Sequence, residues 1–324
     1  MELTSVEPSA DRHPPFRLMA WLRLVRLPTV LTALSNILCG YFISSSERSL
    51  PLLVAEKKLW LLLLSSACLY LSGMVLNDVF DAPLDAVERP ERPIPSGQIS
   101  RRSAAIFGSI LMVAGIVAAW LAGSSTAHFS TSLLVAVLLA VCILLYDSRL
   151  KNTLAAPLGM ATCRFLNLLL GASVEFSLPD VPNHVLVVAA SLAIYVLGVT
   201  WFAKHETGEA SERPLMFGLG IVITGLAAHA LHCAWRMREQ PNSAAFGALI
   251  ALGLVTANLL FRIVRAIRIG RPSLLQKTVG LMLLNLVFID AAMTFCLTGS
   301  ARLAAAIVIL VIPATLLKRF IPMS

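Results

Sequence analysis

A chain of 324 residues that is 57% hydrophobic and only 14% charged is too apolar for a soluble domain, in which about a quarter of residues are charged. Its net charge of +8 has no soluble basic domain to present it, which excludes nucleic acid as a partner and fits orientation in, and anchoring to, a membrane with anionic headgroups. The six cysteines (Cys39, Cys68, Cys142, Cys163, Cys233, Cys296) fall in apolar runs without a CxxC pair and read as small buried hydrophobes, not metal ligands or disulfides.

In chain order, residues 1–20 read as a polar cytoplasmic segment without the apolar stretch of a cleaved signal peptide. Residues 21–320 read as a single membrane domain. Its ten apolar runs lie at 27–45, 59–77, 104–122, 130–146, 155–174, 184–203, 215–234, 244–261, 278–297 and 301–317. Each is close to the roughly 20 residues that cross a hydrocarbon core at 1.5 Å per residue. The first is short and rich in Ser and Thr, and the last follows a tight turn, so the expected fold is an all-α polytopic membrane bundle of nine or ten helices. Placing the N-terminus inside leaves nineteen Lys and Arg on the cytoplasmic side and six outside, with Arg164 within a span. Both termini are therefore expected in the cytoplasm, in a membrane of bacterial inner-membrane type.

Polar residues beyond those needed for solubility gather in the segments after the second, fourth and sixth runs, at 77–103, 147–154 and 204–214. The first opens Asn77-Asp78-Val79-Phe80-Asp81 and continues through Asp85 to Arg89, Arg92 and Gly97. On a helix Asp78, Asp81 and Asp85 share one stripe. Three neighbouring carboxylates repel one another unless neutralised, and Mg²⁺, held by one or two carboxylates and by phosphate oxygens, is the natural partner. Arg89 and Arg92 follow at a spacing suited to gripping phosphate, in a turn stiffened by Pro90, Pro93 and Pro95. A solvated loop of alternating charge is the plainer reading; against it stands the charge set directly on the end of an apolar span. Pro83 interrupts the stripe, so the one-face argument is firm only for Asp78 and Asp81.

Further along, Arg164 and Asn167 lie three apart within the fifth run, and Asn285 and Asp290 within the ninth. Intramembrane polar groups of this kind either line a cavity or tie helices together. His229 and His232 share a helix face without a third ligand nearby and read as outer-end polar residues. His205 beside Glu206 is a candidate acid–base partner. The basic stretch from Arg262 to Arg271 reads as a headgroup anchor.

The pattern Asn77-Asp78-x-x-Asp81-x-x-x-Asp85, followed by Arg89-Pro90-x-Arg92-Pro93-x-Pro95-Ser96-Gly97, resembles the first aspartate-rich motif of the UbiA superfamily of intramembrane prenyltransferases. Leu144-Leu145-Tyr146-Asp147-Ser148-Arg149-Leu150-Lys151 resembles that family's loop between the fourth and fifth spans, where a basic residue holds the diphosphate; Arg149 and Lys151 are the basic residues here. Arg26-Leu27-Pro28-Thr29 also fits, and the resemblance runs from about residue 20 to 297, short of the tenth run. It implies a ring of helices around a central cavity and Mg²⁺-dependent transfer of a prenyl group from an isoprenoid diphosphate to an unidentified acceptor. It further implies that Asp78, Asp81 and Asp85 hold Mg²⁺, with Asn77 in support, and that Arg89 and Lys151 neutralise the leaving group.

The family's second aspartate motif is missing. In its place stand Lys204, His205, Glu206, Gly208 and Glu209, a departure that resembles the divergent EboC-type branch. Glu206 and Glu209, at i and i+3, could supply the missing metal ligands; equally, Lys204 could place a fixed positive charge where the second metal would sit. The alternatives are a lipid-binding or transport-assisting protein that keeps the fold without turnover, and a cyclase of the prenyl chain.

Overall fold

Lipid offers no partner to backbone N–H and C=O groups, so each apolar run closes its hydrogen bonds within itself as a helix. The computed structural model describes residues 14–26, 29–124, 129–205, 212–239 and 243–320, and no strand occurs among them. The helices are α1 (Pro14–Val25), α2 (Leu31–Ser44), α3 (Leu50–Ala55), α4 (Lys57–Glu88), α5 (Arg101–Gly123), α6 (Phe129–Leu145), α7 (Ala156–Ala172), α8 (Asn183–Lys204), α9 (Glu212–Glu239), α10 (Ser243–Ile269), α11 (Pro272–Thr298), α12 (Ala301–Val308) and α13 (Val311–Phe320). Among the described residues, seven apolar stretches are long enough to cross a membrane, and three shorter ones lie at Leu31–Ser44, Ala156–Ala172 and Ala301–Leu316. Together they account for all ten runs. The tenth is two short helices, broken at Ile309 and Leu310.

Neighbouring helices pack in chain order from α4 to α11, while α2 lies against α4, α7 and α11. That placement explains the short, Ser- and Thr-rich first run. Helix α2 is buried almost throughout, from Thr32 to Ile43, whereas α5 turns Ile106, Ile110, Val113, Val117 and Trp120 outward. A helix surrounded by helices can carry polar groups that a lipid-facing one cannot. At only 14 residues, α2 is about 21 Å long and does not span the core alone.

Two glycines set how closely α2 meets α7. A Cβ on Gly40 would run into the Leu168 carbonyl oxygen, and one on Gly171 into the Ile37 carbonyl oxygen. The backbones touch there, as at the small-residue crossings typical of membrane helices. Close approach holds Thr32, Asn36 and the Ala33 carbonyl of α2 against Arg164 and Asn167 of α7.

Helix α4 is 32 residues, about 48 Å, and exceeds a roughly 30 Å core by several turns. The acidic segment expected as a loop is thus the helix's own extension. Pro83 neither ends it nor separates Asp85 from it, since the helix continues to Glu88. Pro83 does free the Val79 carbonyl, four residues back, and Arg101 Nε donates to that oxygen at 3.0 Å. Cys142 and Cys163 are only half-buried, unlike the expectation, and the Cys163 thiol donates to Cys142 Sγ at 3.4 Å without a disulfide.

Gly171→Val is expected to force α2 off α7 and to lower stability by about 1–3 kcal/mol, read as a reduced midpoint in thermal unfolding of the detergent-solubilised protein. Gly220→Val, where a Cβ meets open space, should leave the midpoint within the small shift of an exposed helix substitution.

Candidate active site

The carboxylates of the α4 extension are each met by a cation from another segment. Arg26, in the turn between α1 and α2, donates from Nη2 to Asp78 Oδ1 at 2.8 Å. Arg92, in the loop after α4, donates from Nη1 to Asp85 Oδ2 at 2.7 Å and lies 3.7 Å from Asp78 Oδ1. Lys151, just after α6, reaches Asp81 Oδ1 at 2.5 Å and donates to Asn77 Oδ1 at 3.0 Å. Asp78, Asp85 and Arg92 are buried, while Asp81 is half-buried.

Arg26 is held in an unusual backbone conformation. Its φ is +46°, the left-handed region that non-glycine residues rarely enter. Its carbonyl accepts from both the backbone N–H (3.1 Å) and the hydroxyl (2.7 Å) of Thr29. The turn so locked carries the Arg26 side chain to Asp78.

Behind these pairs opens a cavity with two lobes that share Arg26, Tyr70, Met74, Tyr146, Met160 and Arg164. One, about 220 Å³, reaches Asn77 and Asp147 at its mouth and Ser66 and Asn167 at its base. The other, about 400 Å³, is walled by Val196 and Val199 of α8, Val279, Leu283 and Leu284 of α11 and Ala314 of α13. Asp147 sits in a π-helical turn, Tyr146–Leu150, that ends α6, and is buried. Such turns are frequent at functional sites.

The deep end is polar, and its bonds are made. Arg164 donates to Asn36 Oδ1 (3.2 Å) and Thr32 Oγ1 (3.1 Å), and its guanidinium lies 5.4 Å from the Tyr70 ring centre. Asn36 Nδ2 donates to Asp290 Oδ2 at 2.7 Å, and Ser35 Oγ to the same oxygen at 2.6 Å. Asn36 thus bridges a buried cation to a buried anion. Asn167 donates to the Ala33 carbonyl at 2.8 Å and accepts from Ser66 Oγ at 2.7 Å. Arg164 and Asn167 therefore both line the cavity and tie helices together, so the two sequence readings hold at once.

Of the residues expected from sequence, Asn77, Asp78, Asp81, Asp85, Arg92 and Lys151 converge at the mouth, and Arg164 and Asn167 at the base. Arg89 caps α4 from an exposed position; Arg92 instead meets the carboxylates. Arg149 is exposed. Lys204 donates to the Thr153 carbonyl at 2.6 Å and so staples the segment between α6 and α7. Glu206 and Glu209 lie outside the described residues. Among those described, no three His, Cys, Asp or Glu side chains are grouped to hold a metal ion by themselves. Sequence reasoning assigned no role to Arg26 or Asp147. Arg26 is one of four arginines before the first run, and Asp147 is the lone aspartate within Tyr146-Asp147-Ser148-Arg149-Leu150-Lys151.

A model of the UbiA prenyltransferase family matches residues 33–211. The digeranylgeranylglyceryl phosphate synthase of Methanoculleus marisnigri is 30% identical over 219 residues, covering 66% of this chain and 73% of the relative. The synthase of the same name from Metallosphaera sedula is 34% identical over 152 residues, 47% of this chain and half of the relative. In fold, the chain matches a solved structure concerning digeranylgeranylglyceryl phosphate synthase in membranes, with TM-score 0.62, 18% identity and coverage of 88% and 99% of the two chains. It also matches a UbiA homolog from Archaeoglobus fulgidus bound to DMAPP and Mg²⁺, with TM-score 0.59, 15% identity and coverage of 84% and 98%.

Asn36→Leu should leave Arg164 and Asp290 buried without their bridge and lower stability by about 2–3 kcal/mol, measured by thermal unfolding in detergent. Asn36→Gln, which keeps both functions of the amide on a longer arm, should recover part of the loss.

Proposed function

The chain belongs to the UbiA prenyltransferase family, and from that premise we propose that it transfers a prenyl group from an isoprenoid diphosphate, with Mg²⁺, to an acceptor held in the membrane cavity. The observation that carries the reading is an apolar cavity in an integral membrane protein whose mouth is ringed by paired carboxylates and cations. The basic face that bears this mouth is the cytoplasmic one.

The donor set fits a hard divalent cation. Asp78 and Asp81 offer oxygen ligands only, and two carboxylates without a closed cage suit Mg²⁺, which completes its shell with water and substrate phosphate. Asp78 and Asp81 would hold it, and Mg²⁺ would supply neutralisation of the negative charge that grows on the diphosphate. Asp85 serves differently, fixing Arg92 at 2.7 Å.

The rest of the work falls to this chain's own side chains. Arg26, Arg92 and Lys151 stand beside the carboxylates, so a diphosphate entering the mouth meets three cations already in place. Arg92 Nε has no partner and is a spare donor for such an anion. As the C1–O bond of the prenyl diphosphate breaks, these donors stabilise the leaving oxygens. The aromatic faces of Tyr70 and Tyr146 and the thioethers of Met74 and Met160 line the space in which the allylic carbon becomes electron-poor, and the apolar walls exclude water from it. The acceptor enters the same cavity, where Arg164 presents a polar anchor at its base.

Purified protein in lipid nanodiscs with Mg²⁺ and geranylgeranyl diphosphate is expected to release diphosphate, and Asp78→Ala or Asp81→Ala to slow release at least about 100-fold. Release that persists without Mg²⁺ and in both variants would sink the proposal. Tight binding without release, with geranylgeranylglyceryl phosphate present as acceptor, would identify a carrier.

A further inference from the structure

We propose that the groove between the start of α8 and the end of α9 binds one anionic phospholipid, at the membrane face opposite the catalytic mouth. Helix α8 separates the two faces. Its last residue, Lys204, bonds to Thr153, close in sequence to Lys151 of the mouth, whereas His184 stands at its other end, about 30 Å away along the helix. Helix α9 runs back beside α8, which returns Arg236, near its end, to the level of His184. Between these helix ends lies a groove of about 570 Å³.

The lining changes character along the groove. At the helix ends it is polar, with His184 and Arg236 facing each other across it. Inward along α9 it passes His232 and, a further turn on, Ala228, while Val187 and Leu231 stand exposed beside these. A soluble anion could use only the outer end. A polar end that opens into an apolar trough running along the helices has the two-part form of a phospholipid, headgroup outward and chain inward.

Charge selects the headgroup. The titratable neighbours that act on His184 are Arg236 and Arg48, and those that act on His232 are His184 and Arg236, all of them basic. Arg48 donates to the Phe42 and Ser45 carbonyls and His184 Nε2 to the Ile43 carbonyl, so the end of α2 holds both residues in place. His232 is only 7% exposed, and its Nε2 has no hydrogen-bond partner among the described residues. Residues that merely anchor a helix at the membrane surface are exposed, as Arg238 is. A buried, unmatched imidazole in a basic groove calls for a different cause. A phosphate oxygen carried by a lipid gives the Nε2–H an acceptor and gives Arg236 a charge-assisted contact, as in other basic pockets between membrane helices.

The test is native mass spectrometry of the detergent-solubilised full chain, with the thermal unfolding midpoint as a second readout. The probes are phosphatidylglycerol, phosphatidylcholine and soluble glycerol phosphate. Wild type is expected to retain one phosphatidylglycerol about tenfold more tightly than phosphatidylcholine, and to gain no thermal protection from glycerol phosphate. His232→Gln combined with Arg236→Gln should weaken phosphatidylglycerol binding about tenfold or more, the effect of losing hydrogen bonds to a charged group. Ala228→Phe, which fills the trough and leaves every charge in place, should weaken it as well. Arg265→Gln, at an exposed position near the far end of α10, should leave it unchanged. The midpoint without lipid shows whether the double variant is still folded; if it is not, Ala228→Phe carries the test. Equal retention of the two phospholipids overturns the anionic assignment, and equal protection by glycerol phosphate overturns the lipid. Retention that survives Ala228→Phe and the folded double variant overturns the groove as the site. A loss of the same size in Arg265→Gln also overturns it, by reducing the effect to general surface charge.

Discussion

Three carboxylates on one stripe of a helix, at the edge of a membrane, cannot all stay ionised unless each meets a cation. That requirement organises one face of the molecule. No single segment supplies the three cations: Arg26 comes from the turn before α2, Arg92 from the loop after α4, and Lys151 from the end of α6. Two of these ion pairs close long-range contacts and the third folds the loop after α4 back onto the helix, so that together they draw three loops onto its extension. Charge balance within the protein also defines what can enter. A diphosphate brings negative charge to the cations and a divalent metal brings positive charge to the carboxylates, so together they can replace the internal pairs with little change in net charge.

The same logic, moved into the bundle, fixes α2. Its polar residues face helices and not lipid, and Asn36 uses both ends of its amide, accepting from Arg164 and donating to Asp290. Contact this close needs the glycines at 40 and 171. Sequence, packing and site are then one argument: small residues let α2 approach, approach allows the polar bridge, and the bridge holds Arg164 at the base of the cavity.

Much of this is legible in the sequence, and the illegible part has physical causes. The apolar runs can be read because a membrane imposes a length and a composition on every span. Asp78, Asp81 and Lys151 can be read because charge at the end of such a run is costly, and the spacing resembles a known motif. Arg26 is hidden because it belongs to a basic N-terminal group whose charge already has an explanation in membrane orientation. Only a positive φ at a non-glycine residue, visible in coordinates, sets it apart. Asp147 is hidden because being unpaired is a property of surroundings, and a sequence lists side chains without their partners. Arg89 and Arg92 are three apart in a proline-rich turn, and nothing in the spacing says which faces inward.

Pro83 shows how a local rule yields to its context. A proline in a helix removes one hydrogen bond and exposes the carbonyl four residues earlier, which ordinarily ends or bends the helix. Here the exposed carbonyl belongs to Val79, between Asp78 and Asp81, and Arg101 from the start of α5 takes it up. The helix then carries on far enough to bring Asp85 to Arg92. The guanidinium of Arg101 thus does for the backbone what Arg26, Arg92 and Lys151 do for the side chains. Four basic residues that a topology rule would count simply as charges on one side of a membrane are, in the folded chain, each bound to a specific oxygen of a single helix.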